Sequence, residues 1–504
     1  MALSSSVLLK NENHILPLAS DDKDLCIIGN AFDCMRYQGA GSSLINPLEL
    51  LSPMESFEKH HVKFSFARGY DPFDLKKDQK YFQEAMTLAK NYETVILFLE
   101  LDELTEMEGF DRSNMRLPDN QIALIEALAK EGKKIIAVFS GGASIEVPFI
   151  GSLDAFLNMG LAGQMAGEAM YQLLFGQVSP SGKLAETWVK EYENVPFNKE
   201  YSCSRQEFYK EGIFVGYRYY LSHPELVRFP FGYGLSYTQF KYSDLETELK
   251  EDKIIVSYKI KNTGKMEASE VSQVYFSKKD SRTYRPLREL KGFDKTFLQP
   301  NEEKTIQIEV PIEILKYYET NLHKFVLEDG RYDIQIGSSS IDIKLTTSLT
   351  LQGEKIVNPL IVTSYKNVDL DSLSDEEFKI IYQNKEYPEV VNLLEHPEEV
   401  VIDDYHGFWG TLVKNIIYSI SRKPIKKAKR IKDRTKRNNT IKDAYFFYRS
   451  IANSCVRFLY MSGSSTISKN TALGLGYLCN GHFFHGLKLI MTKEKQIPFP
   501  DDEK

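Results

Sequence analysis

Between Leu25 and Phe175 short apolar runs alternate with amphipathic windows. The runs Leu25–Ile28, Val62–Phe66, Thr94–Leu99, Lys134–Phe139 and Asp154–Leu157 have the length and composition of strands. The windows Asn46–Lys59, Lys76–Asn91, Pro118–Glu131 and Gly163–Phe175 space their apolar residues at helical intervals. Strand and helix taking turns in this way predict an α/β fold, a mostly parallel sheet sandwiched by helices. The repeats are too few to close an eight-stranded barrel.

The helical pattern stops after Pro180-Ser-Gly-Lys183, which closes a first region at 1–190. Residues 191–240 are rich in Tyr, Phe and Pro, and they predict an ordered connector, because so many aromatic rings are costly to leave in water. From Lys253 the period becomes two, in Ile254–Ile260, Val271–Phe276, Thr305–Val310, Tyr332–Ile336 and Ile341–Leu345. Asn262-Thr-Gly264 and Glu328-Asp-Gly330 supply turns. These predict a β-sandwich over 241–352. Residues 353–504 read as a helical tail, with helical spacing at Phe408–Ile420, Lys442–Tyr460 and Gly474–Met491.

A chain of 504 residues exceeds one ordinary core, and 42% hydrophobic with 26% charged residues is a globular composition. The net charge of -7 conceals an asymmetry: residues 422–437 hold ten Lys or Arg against one Asp, leaving the remaining chain at -16. That remainder has no electrostatic reason to bind nucleic acid or an anionic membrane. For the basic run a solvated helix or linker is the commoner explanation, with RNA, DNA or anionic lipid as alternatives.

Cys26, Cys34, Cys203, Cys455 and Cys479 contain no C-x-x-C pair and read as free buried thiols in a reducing compartment. The N-terminus lacks a basic start and a long apolar stretch, and no window approaches the roughly 18 apolar residues of a membrane helix. A cytoplasmic protein with no membrane span is expected, although a chain missing its true start would also have lost a leader. The histidines show no metal spacing; His482 and His485 share a helix face without a carboxylate or Cys companion, so neither metal nor cofactor is expected.

Candidate chemistry concentrates after the Thr94–Leu99 run. Glu100, Asp102, Glu103, Glu106 and Glu108 fall on a loop before the helix-start signal Leu117-Pro-Asp119. Strand ends of open α/β sheets are where ligands bind. Read locally, a solvated acidic loop ranks slightly ahead of a site. Gly39-Ala-Gly41-Ser42-Ser43 comes after the first strand, yet it has neither a third glycine nor a phosphate-binding lysine. A substrate-side loop and a plain tight turn remain open for it.

Six strings in order resemble the C-terminal half of glycoside hydrolase family 3, the β-glucosidase-like family. They are Ser6-Val-Leu-Leu-Lys-Asn-Glu12 with Ile15-Leu-Pro17, Tyr37-Gln-Gly-Ala-Gly-Ser-Ser43, Glu108-Gly-Phe-Asp-Arg112, Pro180-Ser-Gly-Lys-Leu184, Gly216-Tyr-Arg-Tyr-Tyr220 and Phe231-Gly-Tyr-Gly-Leu-Ser-Tyr-Thr238. The resemblance implies an α/β sandwich domain followed by a fibronectin-type-III-like domain, and a retaining, exo-acting hydrolase of β-linked glucosides or oligosaccharides. It implies Glu108 as acid/base, with Glu106 and Glu103 still open because the assignment varies within the family. Asp111 and Arg112 would support it, by fixing the loop or by an Arg112 hydrogen bond to the glutamate. The family's nucleophilic aspartate lies in an N-terminal barrel domain whose motif these residues lack. The expectation is therefore a truncated or split enzyme, inactive alone. The alternative is a non-catalytic partner or glycan-binding remnant that docks onto a separate barrel chain. The tail resembles some bacterial members around Asn480–Lys488.

Overall fold

The computed structural model describes residues 1–492 apart from 20–23, 42, 72–78, 109–110, 202–207, 357–360, 384–391, 429, 453 and 463–466. Six strands form the first sheet: β1 (Val7–Asn11), β2 (Leu25–Ile28), β3 (Phe64–Ala67), β4 (Thr94–Glu100), β5 (Lys134–Ser140) and β6 (Ala155–Asn158). Their order is β1-β6-β5-β4-β2-β3. All neighbours pair in parallel except β1, which runs antiparallel to β6. The sequence pattern missed β1, a five-residue edge whose polar end Lys10-Asn11 is half-exposed.

Successive residues of β4 and β5 point to opposite faces, and both faces are buried. Val95, Leu97 and Leu99 join one core with Ile135, Ala137 and Phe139. Ile96 and Phe98 join a second core with Ile136 and Val138. A continuous apolar run is what such a doubly covered strand requires. Helices α1 (Pro53–Lys59) and α4 (Ala166–Leu174) cover the second face; α2 (Gln79–Ala89) and α3 (Asp119–Lys130) cover the first. Helix α1 starts later than its apolar spacing suggests, at a capping box where Ser52 accepts from the Glu55 amide and Glu55 accepts from the Ser52 amide.

The connector locks onto this domain through close backbone approach. A Cβ at Gly182 would lie 2.4 Å from the Ser5 carbonyl oxygen, and one at Gly234 would lie 2.3 Å from that of Gly182. The Gly182 amide donates to Ser6 and the Leu235 amide to Leu8, so both glycine-bearing strings clamp the β1 edge. Trp188, fully buried, meets Phe139, Phe156 and Phe229 edge-on or tilted, with centroids 6.1–6.3 Å apart.

The sandwich has strands β7 (Phe240–Lys250), β8 (Lys253–Asn262), β9 (Ala268–Ser277), β10 (Glu289–Leu298), β11 (Glu303–Pro311), β12 (Gly330–Gly337) and β13 (Ile343–Leu351). They form sheets ordered β11-β8-β7 and β10-β9-β12-β13 around one core. The tail holds helices α5 (Gly407–Ala428), α6 (Arg434–Ala452), α7 (Val456–Ser462), α8 (Lys469–Cys479) and α9 (Phe483–Met491). Much of the basic stretch is therefore helical, since α5 runs through Pro424 and α6 begins at Arg434. The expectation of buried thiols holds for Cys26 and Cys479, whereas Cys34 is exposed; Cys203 lies outside the described residues.

Replacing Trp188 with Ala empties the junction of sheet and connector. The expected cost is about 3–5 kcal/mol, measured as a lowered urea midpoint in equilibrium unfolding.

Candidate functional site

Strand β4 ends on a buried carboxylate. Glu100 accepts from Asn30 Nδ2 at 2.9 Å. The Gln121 amide brackets its backbone, taking the N–H at 3.0 Å and donating to the carbonyl at 2.8 Å. Burial pushes the Glu100 carboxyl up to about 7 despite the Asn30 hydrogen bond. Asp102, also buried, turns the chain by accepting from the Leu104 and Thr105 amides at 2.8 and 3.0 Å and from the Thr105 hydroxyl at 2.7 Å.

Arg36, from the loop after β2, holds the turn that Asp102 begins. Its Nη1 donates to the carbonyls of Leu101 and Asp102 at 2.5 and 3.0 Å, and its Nη2 to that of Glu106 at 2.8 Å. The Glu106 carboxylate pairs with Arg36 at 3.0 Å and accepts from the Gly142 amide, at the end of β5, at 2.9 Å. Glu103 is paired with Lys442 of α6. Glu100, Asp102 and Glu106 thus build the loop, and Glu103 ties the tail to it.

Glu108 stands exposed at the end of this framework. Its backbone amide faces the Ala40 carbonyl at 3.5 Å. A Cβ at Gly41 would lie 2.7 Å from Glu108 Cβ and 2.9 Å from its Oε2, and Gly41 has φ +89°. Gly39, Gly41 and Ser43 therefore share one surface with Glu108. Ser43 Oγ lies 3.4 Å from the Ala40 carbonyl, and Ser42 and Phe110 lie outside the described residues.

Asp111 and Arg112 diverge. Asp111 accepts from the Tyr201 hydroxyl of the connector at 3.1 Å. Arg112 turns inward and donates from Nη1 to the Ser144 carbonyl at 3.2 Å, leaving Nε and Nη2 buried without hydrogen-bond partners. Burial lowers its pKa while Glu106, Glu146 and Glu186 oppose the shift. Arg112 is thus anchored beside the β5 loop.

A cavity of 470 Å³ opens at the carboxyl ends of β2 and β4, lined by Asn30, Arg36, Glu100, Asp102 and Glu103 and closed by Asn438 and Lys442 of the tail. Strand order reverses between β2 and β4, so this is the crevice where open α/β sheets take ligands. Sequence reasoning missed Arg36, although it immediately precedes Tyr37-Gln-Gly-Ala-Gly. For Lys442, far along the chain, no local signal existed. Among the described residues no group of His, Cys, Asp or Glu is placed to hold a metal.

A parallel α/β sandwich with a carboxylate loop at a strand end, followed by a fibronectin-like sandwich, is the architecture of glycosidase C-terminal halves. Residues 6–237 match the glycosyl hydrolase family 3 C-terminal domain and residues 270–340 the fibronectin type III-like domain. The chain thus carries the C-terminal domain of glycoside hydrolase family 3, followed by a fibronectin type III-like domain. It is 41% identical over 357 residues to thermostable beta-glucosidase B of Acetivibrio thermocellus, covering 69% of this chain and 47% of that protein. It is 36% identical over 371 residues to an exo-alpha-(1->6)-L-arabinopyranosidase of Bifidobacterium breve, covering 71% and 49%. The crystal structure of a Bifidobacterium adolescentis GH3 beta-glucosidase superposes with a TM-score of 0.67 at 36% identity, covering 72% of this chain and 54% of that one. The chain spans about half the length of the curated relatives it matches.

The loop geometry gives two expected outcomes. Arg36→Ala leaves Glu106 and three carbonyls without their cation; stability should fall by about 3 kcal/mol, with accelerated proteolysis between residues 101 and 108. Glu100 keeps its proton in the folded chain up to about pH 7, while the unfolded chain releases it near 4.5. Stability should therefore fall as pH rises through that window, by at most about 3 kcal/mol, and Glu100→Gln should flatten the slope in urea titrations at several pH values.

Proposed function

We propose that this chain carries the acid/base half of a retaining, exo-acting β-glucosidase-like site, with Glu108 as general acid and then base. The observation that carries the reading is that Glu108 is exposed at the end of the Arg36-held loop, with its side chain against Gly41. A retaining mechanism needs a second carboxylate about 5 to 5.5 Å away as nucleophile. In this reading it comes from a barrel domain docked against the loop, and these 504 residues without that domain are inactive. Arg36 and Lys442 offset the charges of Glu106 and Glu103. A general acid must keep its proton at neutral pH, and exclusion of water by the docked barrel would favour the neutral form of Glu108. The substrate class is a β-linked glucoside or oligosaccharide, and the named activities of the relatives support a terminal pyranoside.

The test is turnover of aryl β-glucosides by the purified chain, with and without a separately produced family 3 barrel domain. Activity should appear only in the mixture. Glu108→Gln should lower it by about 10²–10⁴-fold for poor leaving groups and far less for dinitrophenyl glucoside, which leaves without protonation. Robust turnover by the chain alone that vanishes in Glu108→Gln refutes the inactivity. Loss in Glu106→Gln or Glu103→Gln, with Glu108→Gln unaffected, moves the role to that residue.

A further inference from the structure

The tail, residues 353–504, lies beyond both family models and presents a surface that the glycosidase reading does not use. On α5, Phe408, Leu412, Ile416 and Ile420 recur every fourth residue and are all exposed. Four-residue spacing places them along one slowly drifting stripe of the helix. Trp409 stands beside Phe408, with ring centroids 5.2 Å apart, and stacks on Phe483 of α9 at 5.8 Å. Phe483 meets Phe484 at 5.4 Å. The result is an aromatic ridge running from one helix to the next, with Phe408 75%, Trp409 42% and Phe484 84% exposed. Leu487 and Met491 continue it along α9.

Charge accompanies this apolar surface. Neither α5 nor α9 contains an Asp or Glu. The C-terminal half of α5 carries Arg422, Lys423, Lys426 and Lys427, all exposed, and Arg430 comes next. We propose that α5 and α9 form a peripheral membrane-binding face that seats its aromatic ridge in the interfacial layer of an anionic lipid bilayer. The basic end of α5 would lie among the lipid headgroups.

Charge and polarity select this occupant. A second copy of this face offers no counter-charge to Arg422, Lys423, Lys426 and Lys427, since neither helix contains an acid. Nucleic acid would satisfy the cations and leave Phe408, Leu412, Ile416 and Ile420 facing a polyanion. A bilayer with acidic lipids offers headgroup phosphates and an apolar interior to the same helix, which is how interfacial amphipathic helices bind. The acidic remainder of the chain, at -16, would be repelled by such a surface, so the molecule would approach tail first. No described helix is long and apolar enough to cross a membrane, so the association is peripheral.

The full chain is sedimented with phosphatidylcholine vesicles with and without phosphatidylglycerol, while tryptophan emission is followed. Trp188 is buried and Trp409 half-exposed, so a blue shift on vesicle addition reports Trp409. Binding to the anionic vesicles alone, weakened by salt, is expected. The double variant Phe408→Asp, Ile416→Asp should weaken it about tenfold or more. Lys426→Gln with Lys427→Gln, a change that spares the helix, should weaken it about fivefold per charge. Circular dichroism checks that each variant keeps its helix content, and the Gln pair decides the matter if the Asp pair unfolds the tail. Equal binding to neutral vesicles, no binding to anionic ones, or unaltered binding by the Gln pair overturns the proposal. So does heparin binding, or a dimer dissolved by Ile416→Asp, in a chain that ignores vesicles.

Discussion

The Arg36 guanidinium is the interaction on which the candidate site depends. A loop of closely spaced acids after a buried strand would repel itself, and its carbonyls have no ladder to join once β4 ends. Arg36 answers both problems, donating to three carbonyls and pairing with one carboxylate from a single fork. Fork-shaped donors bind such planar acceptors with a directionality that a lysine lacks. Because Arg36 is itself buried on the loop that follows β2, the path of residues 101–106 after β4 is tied to the neighbouring strand of the sheet. Glu108 inherits its position from that tie and from the glycine clearance at Gly41.

The rest of the molecule braces this arrangement from the far side. The Pro180–Leu184 string and the connector clamp the β1 edge through Gly182 and Gly234, and the sandwich reaches back through Lys295, whose ammonium donates to the carbonyls of Ser4 and Ser181 at 2.7 and 3.0 Å. The tail reaches the site from the opposite direction in sequence, through Lys442 on Glu103. The carboxylate loop is thus contacted by Arg36 from near one end of the chain and by Lys442 from near the other.

Much of the architecture was legible in the sequence. The apolar runs at Thr94–Leu99 and Lys134–Phe139 are strands because both faces of those strands are covered, which leaves no room for polar alternation. The helical windows of the first domain matched real helices, with ends misplaced by several residues where a cap such as Ser52 decided the start, whereas Lys442–Tyr460 and Gly474–Met491 each run across two helices of the tail. Besides β1, whose apolar run is only three residues long, what escaped were elements without an apolar signature. Strand β7, Phe240-Lys-Tyr-Ser-Asp-Leu-Glu-Thr-Glu-Leu-Lys250, lies at a sheet edge and is mostly solvated, so few of its positions needed to be apolar. Five acids close together were visible as a cluster. Which of them were structural was not, because Arg36, Gly142 and Lys442 reach the loop only through the fold.

By itself the sequence determined the fold class and the chemistry available. Periodicity records which faces are buried, and six short strings record a family. Only the tertiary structure divided the work among Glu100, Asp102, Glu103, Glu106 and Glu108. A carboxylate's role is set by its desolvation and by the charges within a few ångströms of it, and those neighbours are distant in the chain. Local spacing cannot encode them, whereas the crossing of β2, β4 and β5 places them together.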